Sequence, residues 1–398
     1  MEALLEERLS IDKTSWTPVK FGDVVFEPKE SSKDPIADGI EHVVGLEHIE
    51  SEDIHLRNSA TIEEATTFTK RFSKGDVLFG RRRAYLKKAA QASFSGICSG
   101  DITVFRAKEN LLPELLPFIV QNEKFFDYAV KHSAGGLSPR VKFKDLANYE
   151  FLLPPKDQQA KLAELLWAMD EVVEREIEIK DKYEVFYKRY LYDSVSGKLS
   201  KQYKTWKEHL FGDLGESFGG LSGKTKKDFG EGSPFVNYMN VFSNSKIDPS
   251  KVDYVRLEKG EKQNELKYGD ILITGSSETP QELGMSSVVL DDLKGYYLNS
   301  FCFGFRLNDF KTLLPEYARF LMRGEEVRKF MFKRAQGSTR FNLSKTTVKE
   351  KMKILLPKIE EQKEIADKLE FMEKNISGFE SKISSSKALQ KSLINQVF

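Results

Sequence analysis

The feature that most limits how this chain can fold is a repeat within its own sequence. Trp16 opens a W-x4-F-G-D-V segment, and Trp206 opens W-x4-F-G-D-L. Gly75-Asp76-Val77-Leu78 is answered by Gly269-Asp270-Ile271-Leu272, and Leu112-Pro113-Glu114-Leu115 by Leu314-Pro315-Glu316-Tyr317. Each copy closes alike, with FLLPPKDQQ at 151–159 and ILLPKIEEQ at 354–362. The shift is 190 residues from Trp16 to Trp206 and 203 from Pro154 to Pro357. Matches in one order at so steady a shift imply a duplication with small insertions in loops.

Within each copy the pattern is mixed. VKFGDVVFE, GDVLFG and DITVFRA are short β-branched or aromatic runs bounded by Gly and Asp, which predicts strands. LLPELLPFIVQNEKFFDYAV has helical spacing with Pro113 near its start, and LLPEYARFLMRGEEVRKFMFK is its counterpart. Each globular part is therefore expected to be α+β, about 150 residues long. The boundaries are 1–153 and 200–356 for the globular parts, and 154–199 and 357–398 for the segments that follow them.

Those following segments contain no Pro or strand signal once they have begun. Leu162, Leu165, Leu166, Met169, Val172, Val173, Ile177, Tyr183, Phe186 and Tyr190 are expected on one face of the first. In the second, Ile365, Leu369, Met372, Ile376, Phe379 and Ile383 alternate spacings of four and three, a heptad seam that calls for a partner helix. The nearest partner for each is the other. Pro155 and Pro357 precede the helices, and Asp157, Glu360 and Glu361 suit their positive ends. A helix over 156–194 would be ~58 Å long. Packed antiparallel and coiled-coil-like, the pair would act as a spacer in a pseudo-two-fold repeat. Gly378 and Ser384-Ser385-Ser386 are expected to weaken the second helix.

At 40% hydrophobic and 31% charged residues, the composition is that of a folded soluble protein, and no apolar run approaches a membrane span. The opening MEALLEERLS lacks the apolar core of a signal peptide, so a cytoplasmic location is expected. Cys98 and Cys302 are too few for a disulfide framework or zinc site and are expected to be buried thiols in strands. A net charge of +1 counts against nonspecific coating of nucleic acid but allows basic residues gathered on one face.

Catalytic motifs are missing. GGLSGKT at 219–225 resembles a phosphate loop, but Phe218 stands where the motif needs Gly. Pro154-Pro155 is preceded by Leu and followed by Lys, so no base-holding Asn/Asp-Pro-Pro-aromatic motif exists. The five His show no metal spacing. Binding chemistry is more evident. Residues 70–88, KRFSKGDVLFGRRRAYLKK, hold eight basic side chains against one Asp. Arg81, Arg82, Arg83, Tyr85, Lys87 and Lys88 are the candidates there, since Arg grips phosphate or guanine and aromatics pack on sugars or bases. Arg140 and Lys142 follow the flexible Gly135-Gly136. The second copy offers Lys224, Lys226 and Lys227, and then Ser338, Thr339 and Arg340 within RAQGSTR at 334–340.

With these residues in view, the chain resembles the specificity subunit of type I restriction-modification systems. The likeness runs through 75–107, 269–289 and 336–344, and through the Pro-x4-Gln openings at 154–159 and 357–362. The resemblance implies two target recognition domains, each reading one half of a bipartite double-stranded DNA site in the major groove. It implies helices that set the gap between the halves and dock two methyltransferase subunits. S-adenosylmethionine would belong to those subunits, ATP and Mg²⁺ to motor-nuclease subunits, and no cofactor to this chain. The loops differ, with GGLSPR at 135–140 against GSTR at 337–340, which leaves open whether Arg140 aligns with Arg340. Two other classes stay open: a single-chain DNA methyltransferase or nuclease, and a helix-based interaction scaffold without a DNA role.

Overall fold

A computed structural model describes residues 11–62 and 67–398, so the first ten residues, on which the expectation about the N-terminus rests, lie outside it. The chain forms two compact units, Met1–Glu178 with Glu380–Phe398, and Ile179–Phe379. Each long helix is thus divided between them.

Both units mix helix and sheet and share one strand plan. In the first, an antiparallel sheet runs Val25–Phe26, Ile102–Ala107, Val77–Gly80, Ala89–Gln91. The second repeats this order with Gly215–Gly219, Cys302–Leu307, Ile271–Thr274 and Ser286–Val288. Each unit adds a smaller sheet with one parallel pair, His42–Val44 on Gly96–Cys98 and Phe229–Val236 on Tyr297–Leu298. The expected strand VKFGDVVFE is broken. Phe21–Val24 is a helical turn, because its Phe must leave the strand to enter the core. Phe21 is fully buried on Phe105 at 5.2 Å between ring centroids, and Phe211 on Phe305 at 4.0 Å. Cys98 and Cys302 are buried in strands, and burial pushes both thiols up to about 12.

The repeated motifs carry repeated hydrogen bonds. Gln159 accepts from the Leu112 backbone N–H at 2.8 Å and donates to the carbonyls of Asn110 and Pro154. Gln362 accepts from Leu314 at 2.9 Å and donates to Thr312 and Pro357. A buried amide with all these bonds made ties the Leu-Pro corner to the start of the long helix, which explains the Pro-x4-Gln spacing. The Asp of each Gly-Asp pair receives a two-pronged Arg. Arg106 reaches Asp76 at 2.7 and 2.8 Å, and Arg306 reaches Asp270 at 2.8 and 2.6 Å. Trp16 Nε1 donates to Gln158, and Trp206 Nε1 to Glu361.

The helix expected over 111–130 is two helices, Leu116–Gln121 and Glu123–Lys131. They part at Asn122, whose extended backbone and side-chain acceptance from Lys124 N–H start a new helix. Its counterpart parts at Gly324 between Pro315–Leu321 and Glu325–Lys333.

The long helices are Lys156–Val195 and Ile359–Val397, the latter continuous through Gly378 and Ser384–386. In the first unit Gln390 donates to Asp170 at 3.0 Å and Lys382 pairs with Glu176 at 3.2 Å. In the second, Tyr187 donates to Glu373 at 2.7 Å and Tyr183 packs on Phe379. Within either unit the pairing is antiparallel. The seam differs from the expected apolar face. Asp170 and Glu176 are buried in it, whereas Leu165, Val172 and Phe186 are exposed. The buried positions follow the 3-4 spacing of Gln159, Ala163, Leu166, Asp170 and Val173; Gln159 bonds to the Leu-Pro corner and Asp170 to the partner helix, and a count of apolar residues passes over both. Among the described residues no helix is long and apolar enough to cross a membrane.

Candidate nucleic-acid interface

In the first unit the strand Val77–Gly80 runs out into Arg81, Arg82 and Arg83. A second loop returns beside it. Ala134 and Arg140 exchange backbone hydrogen bonds at 3.0 and 2.9 Å, and Val141 N–H donates to the Arg81 carbonyl. Gly135, at φ +118°, supplies the left-handed turn that lets the loop double back. Arg83 N–H donates to the Pro139 carbonyl at 2.8 Å, which fastens the two loops together.

Asp101 lies at their junction. Arg140 Nε donates to its Oδ1 at 2.7 Å, and Arg82 Nη1 to its Oδ2 at 3.3 Å. The Arg140 guanidinium, more than that of Arg82, holds the Asp101 carboxyl below the usual range. Arg82 also donates from Nη2 to Ser138 Oγ at 3.1 Å, so both ends of its guanidinium have a partner inside the protein. Among the described residues Arg140 Nη1 has no partner, and the side chain is 45% exposed. At the loop tip Leu137 is 97% exposed, and Tyr85 and Leu86 are exposed beside the Arg run.

The other sequence-predicted residues divide. Lys142 is exposed at the start of the short helix Phe143–Leu146. Lys87 pairs with Glu52 and Glu123 at 3.3 and 3.5 Å, and Lys88 Nζ donates to the Leu46 carbonyl at 2.7 Å. The last two are committed to internal partners and do not extend the basic face. In the second unit Lys224 is likewise spent. Its side chain is 8% exposed, paired with Glu261 and bonded to the Arg256 carbonyl, and Glu261 is held down to about 2. Lys226 and Lys227 are exposed in the turn Lys226–Asp228.

The second unit repeats the loop geometry and settles the alignment. Gln336 and Asn342 exchange backbone hydrogen bonds as Ala134 and Arg140 do, and Leu343 N–H donates to the Gly275 carbonyl as Val141 does to Arg81. Ser276 pairs with Asn342, as Arg82 does with Arg140. Gly337, at φ +133°, answers Gly135. Arg140 therefore stands opposite Asn342, and Arg340 opposite Ser138. The sequence leaves open whether Arg140 aligns with Arg340; the backbone pairing sets the register two residues away from that match.

The position of Asp101 is taken by Phe301. Arg81 N–H donates to the Asp101 carbonyl at 2.9 Å, and Gly275 N–H to that of Phe301 at 2.8 Å. Arg340 lies over the Phe301 ring at 4.8 Å and donates from Nε to Ser276 Oγ at 2.9 Å. Gly219, Gly220, Gly275, Ser276, Phe301 and Arg340 line part of a hollow of about 420 Å³, and Lys224, Lys226 and Lys227 lie outside its wall. Ser338, Thr339 and Arg340 are exposed around the loop tip. Sequence reasoning missed Asp101, Phe301 and Asn342. For Asp101 and Phe301 the signal is positional, the residue just before the strands Ile102–Ala107 and Cys302–Leu307, and for Asn342 it is the match to Arg140 once the two loops are aligned by their backbones.

Comparison with known proteins places this architecture. Residues 14–184 and 203–385 match a family described as the type I restriction modification DNA specificity domain. The specificity subunit of the type I restriction enzyme EcoDI from Escherichia coli is 26% identical over 168 residues, 41% of this chain and 37% of that protein. The chain thus spans little more than a third of the curated relative it matches. A chain from a structural study of complex assembly and conformational transition in a type I R-M system is 20% identical, with a TM-score of 0.61 over 96% of both chains. The HsdS subunit from Thermoanaerobacter tengcongensis is 19% identical, with a TM-score of 0.50 over 97% of both. With the family matched across both of its halves, this chain belongs to the type I restriction modification DNA specificity domain family and carries the domain twice.

Proposed function

We propose that this chain is the noncatalytic DNA-specificity subunit of a type I restriction-modification complex, with each unit reading one half of a bipartite double-stranded site. The observation that carries this reading is one loop pair, held by the same backbone hydrogen bonds in both units, that presents different side chains in each. A fixed scaffold with variable tips suits recognition of two unlike sequences. Arg83, Tyr85 and Lys142 would meet phosphate and sugar, contacts that set register without reading sequence. The loop tips would then meet base edges.

The long helices serve as spacer and docking surface in this reading. Their seam is filled, yet Leu165 and Val172 stay exposed in the first unit, and Phe186 and Phe371 in the second. Apolar side chains left out of a completed helix pair suit cover by another protein. Two methyltransferase subunits would supply that cover and bring S-adenosylmethionine; motor-nuclease subunits would bring ATP and Mg²⁺. The chemistry would belong to those partners, and the complex would act in the cytoplasm.

Mapping methylated adenines in cells with and without the chain tests the reading. The expected result is one asymmetric bipartite sequence that depends on the chain. Exchanging residues 200–356 for those of another family member should change one half of it. Methyl transfer by the purified chain alone would instead make it an enzyme. An unchanged methylation map would leave the scaffold role.

A further inference from the structure

The aligned loops place an arginine and an asparagine at one and the same point. From this we infer that Arg140 reads a guanine in one half of the target and Asn342 reads an adenine in the other. The inference rests on the proposed DNA-reading role and names the bases which that role leaves open.

Three observations carry it. First, the positions are equivalent by backbone hydrogen bonding. Arg140 pairs with Ala134 and Arg82, and Asn342 with Gln336 and Ser276. Second, both side chains are available. Asn342 is exposed and its amide has no partner among the described residues, so it presents a donor and an acceptor side by side. Arg140 is 45% exposed. Third, Arg140 is braced. Asp101 takes its Nε at 2.7 Å and touches Nη2 at 3.4 Å, which fixes the plane of the guanidinium and leaves its far edge facing outward. A braced fork spends little entropy on binding and matches the O6 and N7 acceptors of guanine. An unbraced carboxamide matches the N6 donor and N7 acceptor of adenine.

Neighbouring residues support the contrast. Arg82, which shares Asp101, is drawn into Ser138 and acts to position the loop. In the second unit Arg340 lies over the Phe301 ring and is tied to Ser276, so it lines the wall beside Asn342 and does not take its place.

The test uses the full chain in complex with its methyltransferase subunits. Methylation is mapped for the wild type and for Arg140→Asn, Arg140→Lys and Asn342→Ala. Arg140→Asn and Arg140→Lys should each relax one G·C position in one half, with discrimination there falling on the order of 10- to 100-fold. Asn342→Ala should relax one A·T position in the other half only. A second measurement leaves the protein intact: a duplex with 7-deazaguanine at the affected position lacks N7. The wild-type complex should modify it on the order of 10-fold more slowly, and Arg140→Ala, which has no donor for N7, should show no added loss. An even fall across all sequences in Arg140→Asn, with every position kept, would make Arg140 a phosphate contact and overturn the inference. So would variants that alter the same half, or a wild-type complex indifferent to 7-deazaguanine at every guanine. A wild-type complex with no sequence-specific methylation would instead overturn the functional reading beneath it.

Discussion

The two loop sites differ more than the scaffolds that hold them. In the first unit Arg82 and Arg140 converge on Asp101 between the loops. In the second, Ser276 and Gly275 leave a hollow, and Arg340 lies on Phe301 at its wall. Beneath both run the same strand order, the same buried glutamine and the same Arg–Asp pair. Duplicated residues are those that make the loop possible, and divergent ones are those at its tip. The proposed reading of two unlike sequences with one architecture would need this division.

The comparison can first be broken at the scaffold. Phe21→Ala and Phe211→Ala each empty a fully buried aromatic site, and each should destabilise its own unit by about 3–5 kcal/mol. Denaturant unfolding of the two variants checks this; a near-neutral result in either would mean the scaffolds are not equivalent. The next effect is local. Asp101→Asn removes the brace on Arg140 but leaves the fold, and should weaken discrimination in one half by about 1–2 kcal/mol. Binding to duplexes varied one base at a time measures it, and no change should appear in the other half.

Smaller effects sharpen the same contrast. Lys226→Ala and Lys227→Ala should each reduce the slope of binding against salt by about 1, the mark of a lost phosphate contact. Lys224→Ala should not, because Lys224 is buried on Glu261. The smallest effect concerns pH. His55 donates to Asp170 at 2.7 Å, and this bond raises the imidazole above its ordinary 6.5. A raised folded value means that the stabilisation is fully present below pH 6.5 and is lost as pH rises through the raised value. The pair is partly exposed, so the loss should be below about 1 kcal/mol. Thermal unfolding from pH 6 to 9 should show it, and His55→Gln should flatten the profile.

Much of the fold was legible because the duplication marks what is structural. Gly-Asp, Pro-x4-Gln and the Trp each recur with one hydrogen-bonding role, and such roles tolerate no substitute. The seam of the long helices was less legible. Asp170 and Glu176 occupy buried positions that a search for apolar residues passes over, whereas Leu165, Val172 and Phe186 satisfy the search and face outward. The break at Asn122 was hidden too, since an asparagine in a helical run reads as neutral until its cap bond is seen. At the candidate site the basic run is visible in the sequence, but which of its members are held by internal partners is not. Arg140 is exposed, while Lys87, Lys88 and Lys224 are held by partners 32 to 42 residues away in sequence. Such partners become visible only when the chain is folded.

The most direct test of the central claim exchanges the loops themselves. Residues 134–140 and 336–342 are equal in length and hang from equivalent backbone bonds. Replacing the first loop by the second, with Asp101→Phe and Arg82→Ser to match its surroundings, and mapping methylation by the full complex, gives a single readout. The account predicts that one half of the target changes toward the other while the second half and the gap between them stay as they were. A map in which both halves change, or neither does, would contradict it.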